Sequence, residues 1–177
     1  GYGSSGALSK RTDSSASRPF SSGRDGFVLA EGACLLVLER LQHALRRRAK
    51  ILGEVVGYGN ASDARHPTQP SLEGEIRAIR LALASTGLDA GEIDLVFSHG
   101  TSTLTGDRIE AEAIRALFGA RADRLPVAAL KSMTGHMLAG SGAFEAACAA
   151  MAMREGIVPA FGPGVEQDPE CRIRLLQ

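Results

Sequence analysis

Two polar strings, each placed directly after a short apolar run, constrain the fold of this chain most strongly. Residues 93–97 (IDLVF) precede residues 99–103 (HGTST), and residues 125–130 (LPVAAL) precede residues 131–136 (KSMTGH). Short apolar runs bounded by turn residues are consistent with buried strands. Open α/β sheets bind their ligands beyond the carboxyl ends of such strands. The pattern therefore predicts that the histidines of the two strings lie at the same edge of one sheet.

Helical and extended patterns alternate along the rest of the chain, as in a layered α/β protein. Helices are predicted over residues 41–48, 72–85, 107–118 and 139–154, and further strands over residues 33–38 and 51–58. Gly87 and Gly119 provide stop signals for two of the helices. The polar stretch 59–70 ends in PTQP, and we predict a boundary between two subdomains there.

The composition is that of a globular protein and excludes several other classes. The 177 residues are 44% hydrophobic and 23% charged, and the formal net charge is zero. A nucleic-acid surface normally needs a clustered basic excess, so we expect no nucleic-acid partner. The sequence has no apolar run of the roughly 18 residues that a membrane helix needs. We therefore expect no membrane partner and a cytoplasmic location.

The three cysteines do not have the setting of a disulfide framework, a zinc site or a catalytic nucleophile. They are odd in number, widely spaced and without a CxxC pair, which favours reduced thiols. Cys34 lies in an apolar run that is predicted to be a buried strand, and Cys148 lies in an alanine-rich helix. Free cysteines in such places usually serve as small core residues. The four histidines are too scattered for a metal motif, and we expect no metal.

Three strings, in this order and spacing, resemble the condensing enzymes called β-ketoacyl synthases: HGTST at 99–103, TGDRIEAEA at 105–113 and KSMTGH at 131–136. The strings SRPF, RDGFV and EGA, all between residues 17 and 33, agree with the same family. The resemblance runs from about Gly1 to about Gln177. The sequences of these motifs are nearer to the fatty-acid type, which acts on an acyl carrier protein, than to the modular polyketide type, which has HGTGT and KSNIGH.

The resemblance implies an α/β, thiolase-like layered αβαβα fold. Residues 1–59 would be the end of its N-terminal half, and residues 60–177 the greater part of its C-terminal half. In the family, the nucleophilic cysteine lies upstream of the segment that matches Gly1, and a glycine-rich loop with a gating phenylalanine lies downstream of the segment that matches Gln177. We therefore expect the fold to be incomplete here and the isolated 177-residue piece to be inactive.

The resemblance also implies the roles of four catalytic residues. His99 and His136 would flank the absent cysteine and donate to the oxygen of a thioester enolate. Lys131 would position His99, and Glu110 would hold Lys131, because a lysine after a buried strand must be paired or solvated. Glu112 is an alternative partner, but two residues along a helix it points to another face.

Three threonines are candidates for binding the phosphopantetheine arm of the substrate. Thr101 and Thr103 match family residues that donate hydroxyls to that arm, and capping of the turn is the alternative role. Thr68 falls where the family also contacts the arm. The resemblance implies no cofactor, because the phosphopantetheine is carried by the acyl carrier protein. The expected partners are that carrier protein with its acyl and malonyl thioesters, and a second ketosynthase-type subunit in a homodimer or heterodimer.

The implied function is that of a β-ketoacyl-[acyl-carrier-protein] synthase in fatty-acid or polyketide biosynthesis. Such an enzyme performs a decarboxylative Claisen condensation of an enzyme-bound acyl group with malonyl carried on the carrier protein. A non-condensing, ketosynthase-like decarboxylase, a chain-length partner subunit and a binding fragment without chemistry remain alternatives. The retained histidine strings argue against the partner subunit, which commonly loses them. Upstream of Gly1, a cysteine would support condensation and a glutamine would support decarboxylation.

Overall fold

A parallel three-stranded sheet lies at the centre of the fold. The computed structural model describes residues 6–64, 69–161 and 166–177. Its strands follow the order β1 (Val96–Phe97), β2 (Pro126–Ala128) and β3 (Arg174–Leu175). Val96 is paired with Val127, and Pro126 with Arg174. The two apolar runs therefore contain adjacent parallel strands, as the sequence predicts.

The described part of the chain also contains five helices. They are α1 (Leu41–Arg46), α2 (Leu72–Thr86), α3 (Leu104–Phe118), α4 (Lys131–Thr134) and α5 (Gly140–Glu155), and two 3-10 turns cover Ala90–Glu92 and Gly119–Asp123. The four predicted helices are confirmed as α1, α2, α3 and α5. The Ser71 hydroxyl caps α2 by accepting from the Gly74 N–H, and Gly87 ends that helix with a φ of 73°, a conformation that favours glycine.

The core lies where α3 packs against the sheet. Ile114 and Val127 are almost completely buried there together with Phe20 and Cys171. The helix α2 packs on α3. This arrangement fixes the start of α3 beside the carboxyl end of β1, where the HGTST string lies. None of the helices in the described ranges is long and apolar enough to cross a membrane.

The strands predicted at residues 33–38 and 51–58 are wrong for this structure. Both segments are irregular, and Leu35, Val37 and Val55 are largely exposed. Among the described residues, no strand is paired with either segment, so their backbone groups have no ladder to join. The predicted burial of Cys34 in a strand fails for the same reason, and this residue is half-buried on an irregular segment.

Truncation of one buried side chain tests this core. Ile114 is 1% exposed in the central cluster, so Ile114→Ala is expected to lower the free energy of unfolding by about 2 to 5 kcal/mol through lost burial and a residual cavity. The measurement is urea denaturation at pH 7. Ile157→Ala is the control, because Ile157 is 70% exposed and its loss is expected to change that free energy by less than about 0.5 kcal/mol. Equal effects of the two variants would contradict the assigned core.

Candidate active site

The turn between β1 and α3 is held by two carboxylates of α3. Glu110 accepts the backbone N–H of His99 at 2.6 Å and that of Gly100 at 2.8 Å. One helical turn earlier, Asp107 accepts the N–H of Thr101 and that of Ser102, each at 3.0 Å. The four amide donors belong to residues that precede this helix, which begins at Leu104. The helix thereby fixes every amide of the turn from residue 99 to residue 102.

Asp107 also joins this turn to the amino-terminal part of the chain. It is fully buried, accepts the Phe20 N–H at 2.6 Å and lies 3.7 Å from Nε of Arg24. Arg24 in turn donates to the carbonyl oxygens of Thr103 and Leu104. Sequence reasoning did not single out Asp107. The signal was present, since a second acid three residues before Glu110 lies on the same helical face.

His136 is positioned by the extended segment that follows Phe27. Its N–H donates to the Val28 carbonyl oxygen at 2.7 Å, and its own carbonyl oxygen accepts the Ala30 N–H at 3.0 Å. The Phe27 ring packs edge-on against the imidazole, with 5.2 Å between the ring centroids. Gly135 precedes His136 with a φ of 68°, and an added Cβ would lie 3.0 Å from the Val28 carbonyl oxygen. The loop therefore needs glycine at this point.

The structure brings the two predicted histidines together at one edge of the sheet. The ring centroids of His99 and His136 are 5.3 Å apart, and the ring planes are inclined at 85°. His99 follows β1, and His136 follows β2 and α4, so the parallel pairing of these strands brings the histidines to the same place. Residues 131–136 begin with the short helix α4.

Hydrogen bonds indicate which nitrogen of each imidazole carries the proton. Nδ1 of His136 accepts the Leu138 N–H at 3.2 Å, which leaves the proton on Nε2 in the neutral ring. Nδ1 of His99 lies 3.5 Å from Nζ of Lys131. Because an ammonium group can only donate, that Nδ1 is also an acceptor. Both rings therefore present an Nε2–H group that is free of these contacts.

The predicted ion pair between Lys131 and Glu110 is wrong. Lys131 is buried, and its Nζ donates to the Glu145 carboxylate at 2.5 Å and to the His99 carbonyl oxygen at 2.6 Å. Both Glu110 oxygens are already used by the amides of the His99 turn. The alternative partner Glu112 is exposed on α3, as expected from its position on the helix.

Glu145 is the partner that sequence reasoning missed. It lies on α5, one and a half helical turns beyond its start, and its side chain is 15% exposed. An acid in the apolar run AGSGAFEAACAAMAM was the available signal, because a carboxylate among small apolar residues needs a cationic partner. Only the tertiary structure identifies Lys131 as that partner.

Burial and the Lys131 charge keep both histidines neutral. Desolvation is the main cause that lowers the pKa of His99 from 6.5 to about 4, and Lys131 and His136 lower this pKa further. His99 is exposed to solvent, but its Nδ1 lies 3.5 Å from Nζ of Lys131. Desolvation followed by Lys131 also lowers the pKa of His136. Near neutral pH, both rings are therefore hydrogen-bond donors and not cations.

The described threonines lie beside the histidines. Thr101 is buried, and its hydroxyl oxygen lies 3.0 Å from that of Thr103. Thr103 occupies the N-cap position of α3, but its side chain makes no capping hydrogen bond with this helix. The alternative role as a side-chain cap is therefore not met by Thr103. Thr68 lies outside the described residues.

The cysteines occupy other parts of the described structure. Cys171 belongs to the central core, where burial raises the pKa of its thiol to about 11. Desolvation also raises the pKa of Cys148 on α5. Such raised values disfavour the thiolate that a nucleophile requires. Within the described ranges, no group of three histidine, cysteine or acidic side chains could hold a metal ion.

Comparisons with known proteins agree with this geometry. The family model described as "Beta-ketoacyl synthase, C-terminal domain" matches residues 52–163, and the one described as "Beta-ketoacyl synthase, N-terminal domain" matches residues 1–44. The predicted division at residue 59 stays a prediction.

Two curated relatives with the same name are similar to this chain. The 3-oxoacyl-[acyl-carrier-protein] synthase 2 of Staphylococcus aureus (strain COL) is 42% identical over 99% of this chain and 43% of its own length. The protein of the same name from Synechocystis sp. is 46% identical over 97% of this chain and 42% of its own length. The chain thus spans less than half of these relatives.

Solved structures share the fold. The ishigamide ketosynthase/chain length factor matches 99% of this chain and 42% of its own, with a TM-score of 0.91 and 38% identity. A type II polyketide synthase acyl-carrier protein in complex with its ketosynthase, bound to the hexaketide, matches with a TM-score of 0.95 and 34% identity over 99% of this chain and 44% of its own. These similarities confirm the predicted α/β, thiolase-like fold class.

A double-mutant cycle tests the corrected ion pair. Combining Lys131→Met with Glu145→Gln is expected to show a coupling of about 1 to 3 kcal/mol in the free energy of unfolding, because either single change leaves a buried polar group without its partner. The measurement is urea denaturation of the four proteins at pH 7. The matched cycle with Glu112→Gln is expected to show no coupling. A larger coupling to Glu112 would contradict the assigned partner.

The protonation of His99 gives a second test. In the folded protein, the imidazole is expected to titrate by NMR near pH 4, and Lys131→Met is expected to move this pKa towards 6.5 without reaching it, because desolvation is the larger cause. The unfolded chain protonates this ring near pH 6.5. The stability present above pH 6.5 is therefore lost as the pH falls towards 4. A His99 resonance that titrates at 6.5 in both proteins would refute this environment.

Proposed function

Because this chain belongs to the β-ketoacyl synthase family, we propose that the protein acts as a β-ketoacyl-[acyl-carrier-protein] synthase. Such an enzyme joins an acyl group to a malonyl unit with loss of carbon dioxide. The observation that carries the proposal is the pair of neutral imidazoles, His99 and His136, whose rings lie 5.3 Å apart and each present an Nε2–H.

The paired donors suit the decarboxylation of a malonyl thioester. When the carbon–carbon bond to the carboxylate breaks, its electron pair moves into the thioester group, and negative charge develops on the thioester oxygen. In this proposal the two Nε2–H groups, on rings whose centroids lie 5.3 Å apart, both donate to that oxygen. Fixed donors of this kind stabilise the developing charge, and loss of one commonly costs about 100- to 1,000-fold in rate.

Lys131 and Glu110 each position His99, and they are not hydrogen-bonded to each other. Lys131 fixes the His99 backbone through its carbonyl oxygen and disfavours the imidazolium form, and Glu145 holds Lys131. Glu110 fixes the His99 amide from the other side. Positioning of this kind preserves the geometry that the reaction needs.

The enolate carbon then attacks an acyl group, and the proposal places that group on a cysteine outside these 177 residues. The raised pKa values of Cys148 and Cys171 support this assignment. The carbon–carbon bond forms as the cysteine thiolate leaves the acyl carbonyl. A decarboxylase without that cysteine would use the same two histidines. The residue at the nucleophile position, upstream of Gly1, therefore distinguishes condensation from decarboxylation alone.

The substrate would arrive on an acyl carrier protein. Thr101, Thr103 and Thr68 are the proposed contacts of its phosphopantetheine arm, which makes a resident cofactor unnecessary. One structurally similar ketosynthase is in complex with an acyl-carrier protein, and this supports the proposed partner. A cytoplasmic enzyme of fatty-acid or polyketide biosynthesis, paired with a second ketosynthase-type subunit, completes the proposal.

Substitution of the histidines tests the donor roles. In the native polypeptide, His99→Ala and His136→Ala are each expected to lower the rate of malonyl-carrier decarboxylation by about 100- to 1,000-fold, measured as release of carbon dioxide. The exposed acid Glu112 provides the control as Glu112→Gln. Unchanged decarboxylation in both histidine variants would overturn the assignment.

Intact mass of the native polypeptide separates condensation from decarboxylation alone. After exposure to an acyl-carrier-protein thioester, a condensing enzyme is expected to gain one acyl mass, and this mass is expected to persist in Cys34→Ser, Cys148→Ser and Cys171→Ser variants. Loss of the adduct in any of these variants would place the nucleophile within the described fold and contradict the proposal.

A further inference from the structure

One serine of α5 holds the loop that leads from His136 into this helix. Ser141 is the second residue of α5 and is 5% exposed. Its hydroxyl oxygen accepts the Met137 N–H at 3.0 Å and lies 3.1 Å from Nδ1 of His136. The backbone N–H of Ser141 donates to the Leu138 carbonyl oxygen at 3.1 Å. Ser141 therefore contacts each of the three residues from 136 to 138.

A neighbouring amide determines the direction of the hydrogen bond between Ser141 and His136. The Leu138 N–H donates to Nδ1 of His136 at 3.2 Å, so this nitrogen carries no proton in the neutral ring. A hydroxyl group can donate its proton while its oxygen accepts another. The Ser141 hydroxyl therefore accepts from Met137 and donates to His136. This donation favours the ring form with its proton on Nε2, because the bond made by one ring nitrogen sets the protonation of the other.

The loop depends on these contacts because its backbone is strained at one residue. Leu138 has a φ of 52°, which lies in the left-handed region that residues other than glycine adopt only rarely. Such a conformation persists only where the surrounding structure imposes it. The hydrogen bonds from Ser141 to Met137 and to the Leu138 carbonyl oxygen impose it here. The same hydroxyl group thus stabilises the loop and contacts the imidazole.

We propose that Ser141 is a positioning residue for His136. Through Nδ1, its hydroxyl holds the imidazole in the orientation and the tautomer that present an Nε2–H group. The Phe27 ring packs edge-on against the same imidazole, so packing and hydrogen bonding together fix the ring. The effect on decarboxylation rests on the proposed function, whereas the effect on the imidazole does not.

The first measurement is independent of catalysis. In the native polypeptide with isotope-labelled histidine, nitrogen NMR at pH 7 is expected to show His136 with a proton on Nε2 and none on Nδ1. The signals of this ring are assigned by their loss in His136→Gln. Ser141→Ala removes the hydroxyl donor and is expected to shift the Nδ1 signal, because this nitrogen loses a hydrogen bond. A protonated Nδ1 in the unmodified protein, or an Nδ1 signal unchanged by Ser141→Ala, would overturn the proposal.

Ser85→Ala is the matched control. Ser85 lies near the end of α2, and its hydroxyl oxygen also accepts one amide, that of Tyr58 at 3.0 Å, and donates to the Ala82 carbonyl oxygen at 2.7 Å. The variant removes the same kinds of hydrogen bond from another helix and is expected to leave the Nδ1 signal of His136 unchanged. An equal shift in Ser85→Ala and Ser141→Ala would contradict a direct contact between Ser141 and the imidazole.

The second measurement is the rate of malonyl-carrier decarboxylation at pH 7. Ser141→Ala is expected to lower this rate by about 2- to 12-fold, the effect of losing one ordinary hydrogen bond, and Ser85→Ala is expected to keep it. In a protein that already carries His136→Ala, Ser141→Ala is expected to change the rate by less than about twofold, because two residues that act as one unit are not additive. Equal losses from Ser141→Ala with and without His136 would contradict the positioning role.

The two measurements separate failure of this inference from failure of the proposed function. An Nδ1 signal that responds to Ser141→Ala in a protein without decarboxylation would refute the function and retain the contact that positions His136. Decarboxylation and an Nδ1 signal that are both unchanged by Ser141→Ala would retain the function and refute the positioning role.

Discussion

The hydrogen bonds from the His99 turn to the carboxylates of α3 are the constraint on which the site depends. Glu110 and Asp107 accept four consecutive backbone amides, and the same helix buries Ile114 against the sheet. A carboxylate that accepts amides in a buried place resists displacement, because an unsatisfied buried donor costs about 1 to 3 kcal/mol. Packing of α3 is thereby transmitted directly to the position of His99.

A second buried contact connects the His99 turn to α5. Lys131 joins the His99 carbonyl oxygen to Glu145 on α5, so one ammonium group links two elements around the imidazole pair. The lysine would be too costly to bury alone. With Glu145 it stays in place and adds to the desolvation that keeps His99 neutral. The result is a donor pair that needs no proton from solvent before it binds negative charge.

Sequence patterns predicted the ordered parts of the fold well where local signals agreed. The periodicity and the glycine stops indicated α2, and the apolar runs indicated β1 and β2. The strands predicted at residues 33–38 and 51–58 failed because a strand is completed by its neighbour, and no local pattern reports whether a neighbour is present. For the site, motif resemblance identified His99, His136 and Lys131, but it assigned the wrong acid to the lysine.

The sequence by itself determined which chemical groups follow the two central strands, because each polar string is adjacent to its apolar run. Parallel pairing then brings the strings to one edge. Only the tertiary structure decided which acid pairs with which base. Glu110 and Glu145 lie 35 residues apart in sequence and on different helices. Glu110 contacts the His99 turn directly, and Glu145 is connected to it through Lys131. In the folded chain, Glu110 accepts the backbone amides of His99 and Gly100, and Glu145 accepts the ammonium group of Lys131.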